Sequence, residues 1–263
     1  TANATRLRVV GEGVSRLVDN WTNRHYFSYV STYHFGGDGS TAMLIPDLAV
    51  ISTLLEDTNF DGTFETGWAT ADYHLAPFNA NPTAEAVHKP YTVIYVRDTS
   101  DGTQDAFLRG QRNYRIVGTW GYGAVTKDSG HTPSASWDAT ATALDVNGTS
   151  GIEMGWTILV DSEQMYVSSK GSGTGTSITV RRGVNGSTGA THAATAAINY
   201  YVYPAPVAEA VLMQVSRLVK RAQAGFVSQL GIPETGQIEI MEPPSRLDAD
   251  IRVMLVPYRR IGI

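Results

Sequence analysis

The sequence predicts an α+β fold: a small helical and β-sheet domain carrying an inserted all-β domain, barrel- or sandwich-like. Three observations predict it. Apolar residues recur at helical spacing near both ends of the chain. Between residues 26 and 122, short β-branched and aromatic runs alternate with turn clusters. Residues 126–199 are instead dominated by Ser, Thr, Gly and Ala. The expected division is residues 1–127 with 203–263 as one domain and 128–202 as the insertion, its ends close together so that the host core closes.

The opening helix is expected over residues 5–23, where Leu7, Val10, Val14, Leu17, Val18 and Trp21 form one stripe. Gly11 and Gly13 interrupt it, each costing about 1 kcal/mol relative to Ala. They predict a kink or a tight helix contact. Strands are then expected at Phe27–Phe35, Ala42–Ile45 (ended by Pro46), Ala49–Leu55, from Phe64, at Tyr91–Val96 and at Tyr114–Gly118. In the central block the candidates are Ala143–Val146, Thr157–Val160, Gln164–Val167 and Ser177–Arg181. Gly171–Gly175 and Asn185-Gly186 are read as tight-turn signals, the first of them as a hairpin. Pro204 and Pro206 suit the start of a helix over residues 206–224, and Val207, Val211, Val215, Leu218 and Ala222 are its stripe. Glu209 is placed in its first turn, Lys220 and Arg221 in its last, and Gly225 at its end. A last helix follows Pro243-Pro244, with Ser245 and Asp248 as a capping-box pair. Its apolar face is Leu247, Ile251, Met254 and Leu255, and Pro257 stops it.

The 263 residues include 20 basic and 25 acidic side chains, a formal net charge of −5, and no cysteine. A disulfide framework, a thiolate zinc site and a cysteine nucleophile are therefore excluded. A mildly acidic chain does not suit tight nucleic-acid binding, which needs clustered Lys and Arg against phosphates. No apolar run reaches the ~18 residues of a membrane span, and no basic-then-apolar leader pattern opens the chain.

Motifs of catalysis are absent from the sequence: no Gly-x-Ser-x-Gly elbow and no His-Glu-x-x-His pair. His25, His34, His74, His88, His131 and His192 are scattered without ligand spacing. The glycines at 171–175 lack the following helix that a phosphate cradle needs. Asp57-x-Asn59-x-Asp61-Gly62 is the sharpest ligand pattern, since alternating oxygens around a glycine turn can converge on Ca²⁺, with Glu65 as a further ligand. Its twelfth position is Trp68, where a calcium hand places Glu, and Asx turns use the same residues to bond their own backbone. The turn reading is preferred, and neither metal nor cofactor is expected. Asp161 and Glu163 are the paired carboxylates a glycosidase would use. Trp137, Trp156 and Tyr166 are the aromatic surfaces that a carbohydrate- or receptor-binding module would offer. Arg181-Arg182, Lys220-Arg221 and Arg259-Arg260 read as surface charge. The residues together point to a non-catalytic protein that acts by contact.

Several stretches resemble the head–tail connector (adaptor, or head-completion) proteins of tailed bacteriophages. The opening helix running into Asn23-Arg24-His25-Tyr26-Phe27 resembles the family's start, and Leu44–Leu48 with Val50–Leu54 its first hairpin. Asp57–Glu65, Trp68, Asp72–Leu75 and Pro77–Asn79 follow in order. Tyr114–Tyr122 resembles the strand before the family's main helix, here Pro206 to Ala224. Leu255-Val-Pro-Tyr-Arg-Arg260 resembles its closing tail. The likeness covers residues 5–125 and 203–260. Residues 128–203 depart from it and resemble small β modules of other virion proteins, in Leu159–Val167, Arg181–Gly186 and Thr191–Ala193.

The resemblance implies a virion structural protein at the neck between capsid and tail, assembled in the host cytoplasm. It implies a dodecameric ring under the portal protein that extends the DNA channel and offers the attachment site for a tail-side stopper or tail-terminator protein. Double-stranded DNA would pass through the lumen without specific binding, and no membrane is involved. Tyr258, Arg259, Arg260 and Ile261 would be the portal contacts.

Overall fold

In the computed structural model, residues 2–85, 88–97, 104–171, 176–223, 229–231, 238–240 and 247–260 are described. Helices and two antiparallel sheets make the chain α+β. It separates into two compact units: residues 1–24 with 203–263, and residues 25–202. In this division the first sheet falls with the second and not with the helices.

The first unit is helical. Helix α1 (Ala2–Thr22) buries Val14 and Val18 of its stripe, while Leu7 stays in solvent. A Cβ added at Gly11 or Gly13 would meet nothing within 4 Å, so neither glycine is there for a close contact. Gly11→Ala and Gly13→Ala should each therefore stabilise the helix by about 1 kcal/mol, read as a higher urea midpoint. Helix α2 (Ala205–Gln223) buries Val207, Ala210, Gln214 and Val215, with Lys220 and Arg221 in its last turn. Glu209 falls beyond its first turn. Helix α3 (Ala249–Leu255) buries Ile251 and Leu255 and runs into a 3-10 turn, Val256–Tyr258, that accommodates Pro257 near its start.

The expected capping box is not what holds α3. Asp248 is the N-cap, but its carboxylate makes no cap bond. It accepts instead from Arg217 (2.9 Å) and Arg221 (3.1 Å), and Arg217 also reaches Asp250 at 2.6 Å. Ser245, Pro243-Pro244 and Gly225 lie outside the described residues. The strands β13 (Gln229–Gly231) and β14 (Ile238–Ile240) pair with each other as a two-stranded sheet of their own.

The second unit holds two six-stranded sheets, each with its own core. The first comprises β1 (Tyr29–Phe35), β2 (Ala42–Glu56), β3 (Thr66–Gly67), β4 (Tyr73–Ala76), β5 (Tyr91–Val96) and β6 (Tyr114–Trp120). Its order is β1-β6-β2-β5-β4, with β3 on the end of β2. Pro46 does not end a strand, contrary to expectation: β2 runs through it. Residues 42–48 pair with β5 and residues 48–56 with β6, with register shifts between Leu44 and Leu48, Leu48 and Val50, and Ile51 and Thr53. A proline is tolerated where the ladder is already interrupted, since no partner misses its N–H. Phe64 is outside any strand. It packs against His34 and beneath the Arg115 guanidinium.

The second sheet spans residues 126–201: β7 (Thr126–Asp128), β8 (Ala143–Asp145), β9 (Thr157–Val160), β10 (Glu163–Lys170), β11 (Ser177–Arg181) and β12 (Ile198–Tyr201). The order is β7-β12-β9-β10-β11-β8. Its core is built from Trp137, Leu144, Val146, Ile152, Ile158, Val160, Met165, Val167, Ile178, Val180 and Ile198. Strands β7 and β12 close the block but are too short and too mixed in polarity to stand out in the sequence. Asn185 and Gly186 both take positive φ, as a tight turn demands, yet the strands on either side, β11 and β12, do not pair. The turn therefore lies inside a long connection and makes no hairpin. Of Gly171–Gly175, only Gly171 is among the described residues.

Among the described residues, no helix is long and apolar enough to cross a membrane.

Candidate functional site

The acidic loop follows β2 directly. Asp57 is buried at its base, and its Oδ2 accepts the Gly62 N–H at 2.8 Å and its Oδ1 the Asp61 N–H at 3.3 Å. Asn59 Oδ1 accepts the Asp61 N–H at 3.0 Å, and Asp61 Oδ1 the Thr63 N–H at 2.7 Å. Glu65 returns to the loop start, where its Oε1 accepts from the Thr58 hydroxyl at 2.8 Å. Phe60 and Gly62 take positive φ. The backbone N–H of Thr63 and the side chains of Thr63 and Asn59 hold the Asp61 carboxyl below the usual range.

The four expected ligands are thus brought together, and oxygens of Asp57, Asp61 and Glu65 lie within 4.8 Å of one another. Three carboxylates at that spacing are a donor set for a hard divalent cation. Asn59, however, turns its Nδ2 toward Asp61 Oδ2, 3.2 Å away. What closes the loop is its own N–H groups. Removing the buried acceptor by Asp57→Ala should cost about 1.5–3 kcal/mol, the range for hydrogen bonds to a charged group. A urea titration of the whole chain checks it.

The loop is seated on a second buried group. Glu56, the last residue of β2, accepts from the Tyr114 hydroxyl at 2.6 Å and the Trp68 indole at 2.9 Å. Trp68 stacks flat on Phe107, and Tyr114 stands edge-on to both rings. Burial, then the Glu56 hydrogen bond, push the Tyr114 phenol well above its ordinary value.

In the second sheet Asp161 and Glu163, the two carboxylates a glycosidase would have used, hold a buried ion-pair cluster. Glu163 is completely buried at the start of β10. Arg182 grips it in a fork, Nε to Oε1 and Nη2 to Oε2, both at 2.7 Å. The N–H groups of Gly183 (3.0 Å) and Ala190 (2.9 Å) donate to the same carboxylate, and His192 Nε2 lies 2.9 Å from Oε2. Burial alone would raise this carboxyl. The bonds from Arg182, Ala190, His192 and Gly183 outweigh it and hold it at about 2. A general acid must be protonated and must reach substrate; Glu163 is neither protonated near neutral pH nor accessible. Asp161 is exposed and reaches His192 Nδ1 at 2.7 Å, so the two carboxylates clamp one imidazole.

Sequence reading placed Arg182 on the surface and His192 among scattered histidines. Both are buried partners of Glu163. No spacing rule links positions 163, 182 and 192; the only trace is a turn sequence, Arg182-Gly-Val-Asn-Gly186, ahead of His192.

The aromatic residues proposed for a glycan do not share a surface. Trp137 is buried in the second core, its indole N–H donating to Asp145 O at 3.1 Å and its ring edge-on to His192. Trp156 is 38% exposed but packs on Tyr200, which sits on the core side of the sheet. Tyr166 is paired with Thr157 and Arg181.

The closing residues are tied to the end of α1. Arg24 Nε donates to Tyr258 O at 2.6 Å and the Arg260 N–H to Thr22 O at 2.8 Å, while the Arg259 guanidinium lies over the Trp21 ring at 5.4 Å. Ile261 lies outside the described residues. No family model, curated protein or solved structure matches the chain.

Proposed function

We propose that the chain is a virion structural protein, a head-to-tail adaptor that assembles as a ring under the portal, extends the DNA channel and carries the tail attachment site. The order of the connector-like motifs along the sequence suggests the reading. The observation that carries it furthest is the helical unit made from both chain ends, which leaves large apolar side chains in solvent on every helix. Leu7 and Val9 of α1 are exposed, Leu212 of α2 is 64% exposed, and Val253 of α3 is 72% exposed. Helices that small bury such residues by associating, and a heterologous contact repeated around an axis closes a ring. In this reading the second sheet is an inserted module on the outside of the neck, bridging to capsid or tail, and DNA slides through the lumen of a chain of net charge −5 without specific contacts.

The test is mass photometry of the purified chain, alone and mixed with purified portal rings. A ring, or a ring formed on the portal, is the expected result. A strict monomer without affinity for portal removes the proposal. Within it, Arg259→Ala should weaken portal binding about tenfold, the effect of losing one interface anchor, with the melting temperature nearly unchanged.

A further inference from the structure

We propose that the free edge of β1 receives a strand of the β13–β14 hairpin from a second copy of this chain. Along the two main strand orders four strands lie at the edges, and three of them are protected. Strand β4 has four residues and runs into Pro77; β7 and β8 have three each and carry Lys127, Asp128 and Asp145. Short, charged or proline-flanked edges resist pairing with other chains. Strand β1 is neither short nor charged, although the Asn185-Gly186 turn covers its edge at Val30. It is seven residues long, Tyr-Val-Ser-Thr-Tyr-His-Phe, without Pro, Lys, Asp or Glu, and pairs with β6 without a bulge.

The backbone shows which groups are on offer. The Val30 N–H points away from β6 and donates to Asn185 O at 2.9 Å. Orientation alternates along an antiparallel strand, so the N–H and C=O of Thr32 and His34 face the same way. Among the described residues no main-chain partner meets them there. The core agrees: Tyr114, Ile116 and Trp120 of β6 are fully buried, whereas Tyr29, Tyr33 and Phe35 of β1 pack on that core but stay half-buried. One more strand would cover them.

The chain also holds strands in need of a sheet. A two-stranded hairpin alone is at best marginally stable in water, and among the described residues β13 and β14 pair only with each other. Each is three residues long, the length that spans Thr32 to His34. Seating the hairpin of one copy on the β1 edge of the next is a head-to-tail contact. It deepens the ring reading above and rests on that reading for its direction; two β1 edges pairing together would instead give a closed two-fold dimer.

Because the chain lacks cysteine, disulfide trapping of the full protein is clean. Thr32→Cys is combined with Leu230→Cys, and separately with Glu239→Cys, so that either hairpin strand can report. After oxidation, one double variant should give a covalent ladder extending past the dimer, and each single variant none. Absence of cross-links in both double variants overturns the proposal, and so does a dimer from Thr32→Cys alone. His34→Cys, two residues along on the same side, replaces Thr32→Cys if that variant melts early. Portal binding is not used in the assay. A ladder without portal affinity keeps this contact and removes the adaptor role, and portal-bound rings without a ladder do the reverse.

Discussion

Glu163→Ala should cost about 3–5 kcal/mol of stability, the range for breaking one partner out of a buried ion pair. The loss is large because the carboxylate is the hub of the second sheet. Without it the Arg182 fork is left buried, and the Gly183 and Ala190 N–H groups lose their acceptor. Glu163→Gln keeps the shape but leaves Arg182 uncompensated, so it should fall in the same range. The pH dependence has a definite sign. The carboxyl sits at about 2 in the folded chain against an ordinary 4.5, so the unfolded chain binds its proton first on acidification. Its contribution, on the order of 3 kcal/mol by linkage, is fully present above pH ~4.5 and is lost as the pH falls toward ~2. Urea titrations at pH 7 and pH 3 should show the wild type losing more stability than Glu163→Gln. Equal losses would mean that another group carries the acid sensitivity.

This hub shows where sequence reasoning stops. Elements set by local chemistry were legible: Tyr91–Val96, Thr157–Val160 and Ser177–Arg181 coincide with β5, β9 and β11, and α2 is offset by one residue. Groups that acquire meaning only through contacts across the chain were not. Asp161 and Glu163 share a face in any extended strand, which reads as a solvated acidic face before it reads as a glycosidase pair. Only the fold shows Glu163 sealed under residues 182–192. Trp137 carries no mark that separates a core ring from a binding platform. Pro46 was misleading for the opposite reason: a reliable local rule was overridden by a strand that changes partners at that point. The acidic loop was the best-read feature, because Asx turns and the glycine are encoded within a few residues.

Glu56→Ala should be the comparable lesion in the first sheet, costing about 3–4 kcal/mol through two orphaned buried donors at about 1–3 kcal/mol each and the space the side chain leaves. Tyr114 and Trp68 belong to strands and loops far apart in sequence, and Glu56 is the one acceptor they share. The Tyr114 hydroxyl also accepts the Leu108 N–H at 2.6 Å, so the same residue fixes the connection before β6. Removing the carboxylate should therefore do more than lower a midpoint. Amide exchange should quicken at Leu108 and through the loop from Asp57 to Thr63, whose base is Glu56, before it quickens in β10. Tyr114→Phe removes the donor to Glu56 and the acceptor of the Leu108 N–H but leaves Glu56 with Trp68, so it should cost about 1–2 kcal/mol, quicken exchange at Leu108 and leave exchange in the loop nearly unchanged. If Tyr114→Phe matched Glu56→Ala in both readouts, the phenol and not the carboxylate would be the group that organises this end of the sheet.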